Sequence, residues 1–174
     1  ISKQEVAENF MPEIEAMGKG NGWTPEETLK QLTAYYDGYH FCHRNMVDIF
    51  NPFSLINALA DRELRNYWVS SGATSLLPKF VDNMEMKMEY FDHCFIEGDT
   101  LETSDVVNGG AELFLYQSGY LTIKGYDDGV YILGFPNFEV RKALYRVVVP
   151  ALTMKSNSEV VSAQSFLRKM MQDG

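Results

Sequence analysis

The densest concentration of groups able to do chemistry is Tyr35-Tyr36-Asp37-Gly38-Tyr39-His40-Phe41, five aromatic rings in seven residues around an acid and a glycine. One use of such a segment is packing, because tyrosines bury their rings and keep their hydroxyls paired. The other is a site, in which Asp37 and His40 form an acid–imidazole pair facing a ligand or a domain interface. Every histidine and cysteine falls in two places, His40, Cys42 and His43, and His93-Cys94. Together they could build a closed zinc site. The spacing H-x-C-H is not that of a standard knuckle, however, and an imidazole beside clustered tyrosines is more often a hydrogen-bonded core residue, so no metal is expected. Two cysteines are too few for a disulfide framework and read as free, half-buried thiols in a reducing cytoplasm.

Enzyme signatures are absent from the sequence. There is no G-x-x-x-x-G-K-[ST] phosphate loop, no G-x-G-x-x-G, no G-x-S-x-G elbow, no H-E-x-x-H and no C-x-x-C. Gly18, Gly20 and Gly22 alternate but follow a helical pattern instead of opening one, so they read as a linker and not a phosphate cradle. No catalytic residue and no cofactor is assigned to the chain.

The elements that must position these residues are mostly helical at first. Ser2-Lys3-Gln4-Glu5 fits a capping box, and Val6, Phe10, Ile14 and Met17 form one apolar face of a helix ended by the glycines. Thr24-Pro25-Glu26-Glu27 starts a second, with Leu29, Leu32 and Tyr36 on its buried side and Asp37-Gly38 as its stop. After a loop, Asn51 caps a third helix whose first residue is Pro52, with Phe53, Ile56 and Leu59 expected toward the core. Asn66–Val69 looks extended and buried, and residues 74–83 read as a short helix. Residues 82–112 hold nine acids and one lysine, with a strand near Tyr90–Ile96. Ala111–Ser118 predicts a compact helix with Gly119 just past its end. Tyr120–Lys124, a turn over Gly125–Gly129, and Val130–Leu133 make the clearest hairpin. Asn137 caps a helix over Glu139–Val149, ended by Pro150. A polar break at Ser156–Ser158 and a helix over Ala163–Met171 follow.

The fold class expected is α+β, mainly helical: a lid-like helical subdomain over 1–83, then a winged-helix-like subdomain over 84–152 with its hairpin at 120–134. Residues 153–174 begin a linker or a next domain. Length fits this, since 174 residues with 45% hydrophobic content can bury a sizeable core. Fifteen basic against 24 acidic residues give a net charge of −9, which argues against nonspecific binding to nucleic acid or anionic lipid. The helix before the wing, Ala111–Ser118, has no basic residue with which to read DNA, and Arg141, Lys142 and Arg146 lie on the helix after it. Direct nucleic-acid binding is therefore not expected. No uncharged run approaches the roughly 18 residues of a membrane helix. The chain opens on Ile1 without Met or a signal-like segment, which predicts a processed chain or an excised piece.

Several strings, in this order and at these intervals, resemble one known family. They are Trp23-Thr-Pro-Glu-Glu27 leading to Tyr36-Asp-Gly-Tyr-His-Phe41; Phe50-Asn-Pro-Phe-Ser-Leu55; Asn66-Tyr-Trp68 with Ser71-Gly72; Gln117-Ser-Gly-Tyr-Leu-Thr-Ile-Lys124; and Leu133-Gly-Phe-Pro-Asn137 with Glu139-Val140. From about Ile1 to Leu152 the chain resembles the C-terminal part of the predicted AAA-ATPase-like proteins of bacteria. The resemblance implies a P-loop ATPase core before this region and a PD-(D/E)XK nuclease-like domain after it, in a cytoplasmic protein. ATP and magnesium would belong to that core alone. The implied partners are the ATPase core and the nuclease-like domain of the same polypeptide. Tyr36, Asp37, Gly38, Tyr39, His40, Asn51 and Pro52 match the most recognisable strings and are the candidate interface or sensor residues. The Tyr36–Phe41 turn is expected where the helical part meets the winged part, with Asp37 and His40 partly exposed toward the missing core. A protein- or nucleic-acid-interaction module serving the nuclease end is the alternative.

Overall fold

Local chemistry sets the helix starts. The computed structural model describes residues 1–68, 88–103 and 109–153, the side chains of 88, 89 and 147–153 excepted. α1 (Lys3–Asn9) opens on a reciprocal capping box between Ser2 and Glu5. α2 (Met11–Asn21) follows after Phe10 alone. The single helix expected here is thus two. Pro12 is the physical reason, because its ring conflicts with the carbonyl four residues back and it has no N–H to give the ladder. Nor are the glycines a linker: Gly18 and Gly20 lie inside α2, and only Gly22, at φ 74°, ends it. A Cβ on Gly18 would meet the Trp23 carbonyl oxygen at 2.7 Å and the Thr28 hydroxyl at 2.8 Å, so this glycine lets α2 and the next helix approach closely.

α3 (Pro25–Tyr36) opens on the Thr24–Glu27 capping box with Pro25 first inside. α4 (Pro52–Asp61) is capped by Asn51, whose side-chain oxygen accepts from the N–H groups of Phe53 and Ser54. Leu59 is buried as expected, but the rest of the α4 core face differs. Ser54, Leu55, Ala58 and Leu59 are buried, while Phe53 and Ile56 are each 51% exposed. The periodicity allowed either stripe, and packing against α2 and α3 selected the second. These four helices enclose a first core of Val6, Ile14, Met17, Leu32, Tyr36, Phe50, Leu55 and Ala58.

Residues 64–67 have no regular structure, so the expected extended segment there is irregular. Trp68 is buried, and Val69 lies outside the described residues, as do the expected helices at 74–83 and 163–171. A 3-10 turn (Met88–Asp92) leads into β1 (Cys94–Glu97), shorter than the strand expected from Tyr90. α5 (Gly98–Leu101) and α6 (Gly110–Gln117) precede the hairpin of β2 (Thr122–Asp127) and β3 (Val130–Gly134). The sheet is antiparallel in the order β1-β3-β2. The turn is tighter than read from sequence: Asp127 pairs with Val130, and Asp128 and Gly129 both take positive φ, the backbone a two-residue hairpin needs. Gly125 lies within β2, where the register shifts and the Ile132 side chain covers it. α7 (Phe138–Thr153) runs through Pro150, where an end was expected. Phe91, Cys94, Leu113, Leu121, Ile123, Leu133, Val140 and Leu144 build a second core with Trp68. The molecule is α+β and mainly helical, and among the described residues no helix is long and apolar enough to cross a membrane.

A buried polar seam as candidate functional site

The aromatic segment leaves α3 at Asp37 and runs onto the sheet side, so it lies where the two cores meet. Tyr36 is fully buried, and its hydroxyl both donates to the Arg65 carbonyl (2.9 Å) and accepts from the Arg65 N–H (3.0 Å). Its own carbonyl accepts from the Asn51 N–H at 2.8 Å, which ties the end of α3 to the start of α4. Gly38 takes φ 93°, and a Cβ there would lie 2.2 Å from the Pro136 carbonyl oxygen. Only glycine fits both the backbone conformation and the approach. Lys124 of β2 donates to the Gly38 carbonyl at 3.2 Å. Burial lowers the Lys124 pKa, with the charges of Asp48 and Asp37 pulling the other way. Tyr39 pairs with Ile49 across an isolated bridge and donates its hydroxyl to the Gly119 carbonyl.

His40 is the most completely engaged residue of the segment. Its N–H donates to the Thr122 hydroxyl at 2.7 Å, and that hydroxyl donates to the His40 carbonyl at 2.9 Å. In the ring, Nδ1 lies 2.9 Å from the Ile123 carbonyl oxygen and Nε2 lies 2.9 Å from the Asp48 carboxylate. The carbonyl can only accept, so Nδ1 carries a proton and donates. Asp48, not Asp37, is thus the acid partner of this imidazole.

Asp37 is held by its backbone, since its carbonyl accepts from the Asn137 amide at 2.9 Å. Its side chain is buried, with Oδ1 making no hydrogen bond. Burial raises its pKa. The Gly38 N–H opposes that, Asp48 adds to it, and Lys3 and His40 oppose it. Asp37 and His40 are 3% and 8% exposed, so the partial exposure expected of them is not found. The reason is that β2 and the Pro136–Asn137 turn cover the segment from the other half of the same chain. Asn51 caps α4, and Pro52 is exposed at its start, away from these contacts.

A second buried acid completes the seam. Glu139, 1% exposed, accepts from the N–H groups of Tyr67 (2.6 Å) and Trp68 (2.8 Å) through Oε1. Its Oε2 makes no hydrogen bond of good geometry; the buried Ser54 hydroxyl beside it, also unpaired, favours the charged form. Burial is the larger influence and raises the Glu139 pKa. Sequence reading left Glu139 out of the site. The available signal was an acid at 139 on the stripe that continues through Val140, Ala143 and Leu144, which are all buried. Thr122, Lys124 and Asp48 carried no such signal, because they are ordinary in a strand or a loop.

The imidazoles of the first His/Cys group have other partners. The His43 ring stacks on Tyr126 at 4.3 Å and bonds the Tyr131 hydroxyl at 3.1 Å. Cys42 is exposed, and Cys94 is buried in β1 with its thiol pushed up to about 12 by burial. Among the described residues no group of three or more His, Cys, Asp or Glu is placed to hold a metal. Arg141 on α7 pairs with Asp92 at 2.8 Å, while Lys142 and Arg146 line a cavity of about 350 Å³ with Tyr35, Arg65 and Glu139. A smaller cleft, about 280 Å³, opens beside the seam between Tyr39, His40, Phe41, Tyr116, Gly119 and Thr122.

Compared with known proteins, the chain is similar to an uncharacterized protein in the vnfD 5′ region of Azotobacter chroococcum mcd 1, with 25% identity over 141 residues. That match covers 75% of this chain and spans about a quarter (27%) of the relative's length. No family model matches the chain. No solved structure matches it either.

Proposed function

We propose that the chain is a non-catalytic regulatory segment of a bacterial AAA-ATPase-like protein, a lid-like helical part and a winged-helix-like part that couple an ATP-binding core to a following nuclease-like domain. The single observation that carries this reading is where the family-like strings go. Tyr36–His40, Asn51, Tyr67–Trp68, Thr122–Lys124 and Asn137–Glu139 are far apart in sequence and meet in one seam. Asp37, His40 and Glu139 are 3%, 8% and 1% exposed. A general acid or base must reach a substrate proton, directly or through one water. Side chains that instead bond one half of a molecule to the other transmit position. The interaction-module reading has less support, because Arg141 is already paired with Asp92 and the chain is acidic overall.

The first test is titration of the chain with Mg-ATP. Triphosphate binding needs a nest of N–H groups and a lysine, which this sequence does not supply. No binding tighter than about millimolar, roughly −4 kcal/mol, is expected. A micromolar constant overturns the non-catalytic reading. In the full-length protein, seam substitutions should change ATP turnover although they touch no nucleotide. Unaltered turnover with a weakened seam would reject the coupling role.

A further inference from the structure

We infer that the seam is a reversible joint, at which the helical half and the sheet half part as intact bodies and the side chains of Asp37 and Glu139 meet water. The two cores are separate: no residue of the cluster from Val6 to Leu59 belongs to the cluster from Trp68 to Leu144. What crosses between them is largely polar. His40 to Thr122 and Ile123, Tyr39 to Gly119, Lys124 to Gly38, Asn137 to Asp37, and Tyr67 to Glu139 are all hydrogen bonds that water can replace. The ring contacts across it are Tyr35 on Phe138 at 5.9 Å, His43 on Tyr126 and Tyr131, and Tyr39 packed against the sheet-side core. α3 packs directly on α7, so opening parts that contact while leaving each core cluster whole. It also relieves two strained accounts, because Asp37 Oδ1 and Glu139 Oε2 are buried without a hydrogen bond when the joint is closed. An unpaired buried carboxylate oxygen pays a desolvation cost that solvent removes.

The joint is linked to protons, with a sign fixed by these two acids. Facing Asp37 are Lys3 from α1, His40 and Asp48 from the loop, and Lys124 from β2. Facing Glu139 are Tyr36 from α3 and Tyr39 from the loop, with Arg65, Lys142 and Arg146 around the adjoining cavity. Both carboxyl groups are raised in the closed form. Closure is then fully supported below their ordinary, solvated values near 4, and support is lost as pH rises through the closed-form values. Lys124, lowered by burial, acts with the opposite sign. The comparison of variants, which leaves Lys124, His40 and Asp48 in place, separates these contributions.

Native-state hydrogen exchange on the chain tests the joint directly and does not depend on any nucleotide partner. The reporters are the N–H groups of His40 and Tyr67, against those of α3 and of the β2–β3 ladder. After correction for intrinsic exchange, the seam amides should open at least about tenfold more often than the helix and ladder amides. Their opening constant should rise as pH increases above the ordinary carboxyl range. In the double variant Asp37→Asn, Glu139→Gln that rise should vanish and the seam amides should become better protected. Each single variant should lose part of the rise, so the test stands if the double variant does not fold. Seam and ladder amides opening together at every pH, or a rise unchanged in the variants, overturns the inference.

Discussion

Replacing His40 by alanine separates a seam residue from an exposed contact residue. The ring is 8% exposed and has two bonds to lose. The first is to the Ile123 carbonyl, on a residue only 3% exposed, so the truncated variant leaves an acceptor facing a void. A buried group deprived of its partner costs about 1–3 kcal/mol. The second is the contact with Asp48, whose side chain is 59% exposed and stays solvated when the ring is removed, so its loss adds at most about 1 kcal/mol. The backbone bonds of His40 to Thr122 survive the substitution. The sum is about 1–4 kcal/mol, or a fall of about 2–16 °C in melting temperature at this chain length. His40→Asn is the matching control, because its amide can donate to Ile123 in place of Nδ1 while the Asp48 bond is lost. It should recover more than half of the fall. Calorimetry on the three proteins decides the matter. A His40→Ala shift within about 1 °C of the parent would refute the reasoning. It would mean that the imidazole contributes nothing to the fold, and that its burial here is incidental.

Gly38→Ala should destabilise the chain by well over about 1 kcal/mol in urea unfolding, because φ 93° and the 2.2 Å approach to the Pro136 oxygen both exclude a Cβ; a variant as stable as the parent would show that the turn can rearrange. Native protein treated with a maleimide at neutral pH should take up label at Cys42 and not at Cys94, which becomes reactive only on unfolding. Equal labelling of both thiols in the native state would contradict the burial of β1.

Much of the fold was legible because its punctuation is local. Capping boxes at Ser2 and Thr24, the Asn51-Pro52 start, Gly119 after α6 and the Asn137 cap all depend on residues within four positions of one another. Such signals survive whatever the rest of the chain does. Where tertiary packing chose between two locally equal answers, sequence was silent. The choice between the Phe53–Ile56 and Leu55–Leu59 stripes of α4 depends on which side α2 and α3 occupy. Local signals can also be overlooked. The alternation of three glycines drew attention from Pro12, which breaks the first helix, and Asp128-Gly129 was a strong turn dipeptide hidden inside a longer glycine-bounded stretch.

The seam was legible only on one of its sides. Tyr36–His40 announced itself by composition, since so many rings around an acid and a glycine cannot all face water. Its partners could not be found the same way. They are a threonine, a lysine and main-chain carbonyls of an ordinary hairpin, and a glutamate at the start of an ordinary helix, and they become a site only when the chain brings residue 40 to residue 122 and residue 67 to residue 139. The pairing of His40 shows how far that matters. Sequence proximity offered Asp37 as its acid, three positions away, whereas geometry gave it Asp48 and left Asp37 with an unpaired oxygen. A buried acid without a partner is costly, and a fold that only needed to be stable would have a neutral amide at that place. Two acids that each keep one oxygen unbonded between two cores put a cost where it opposes closure, which is the arrangement a joint requires and a static core does not.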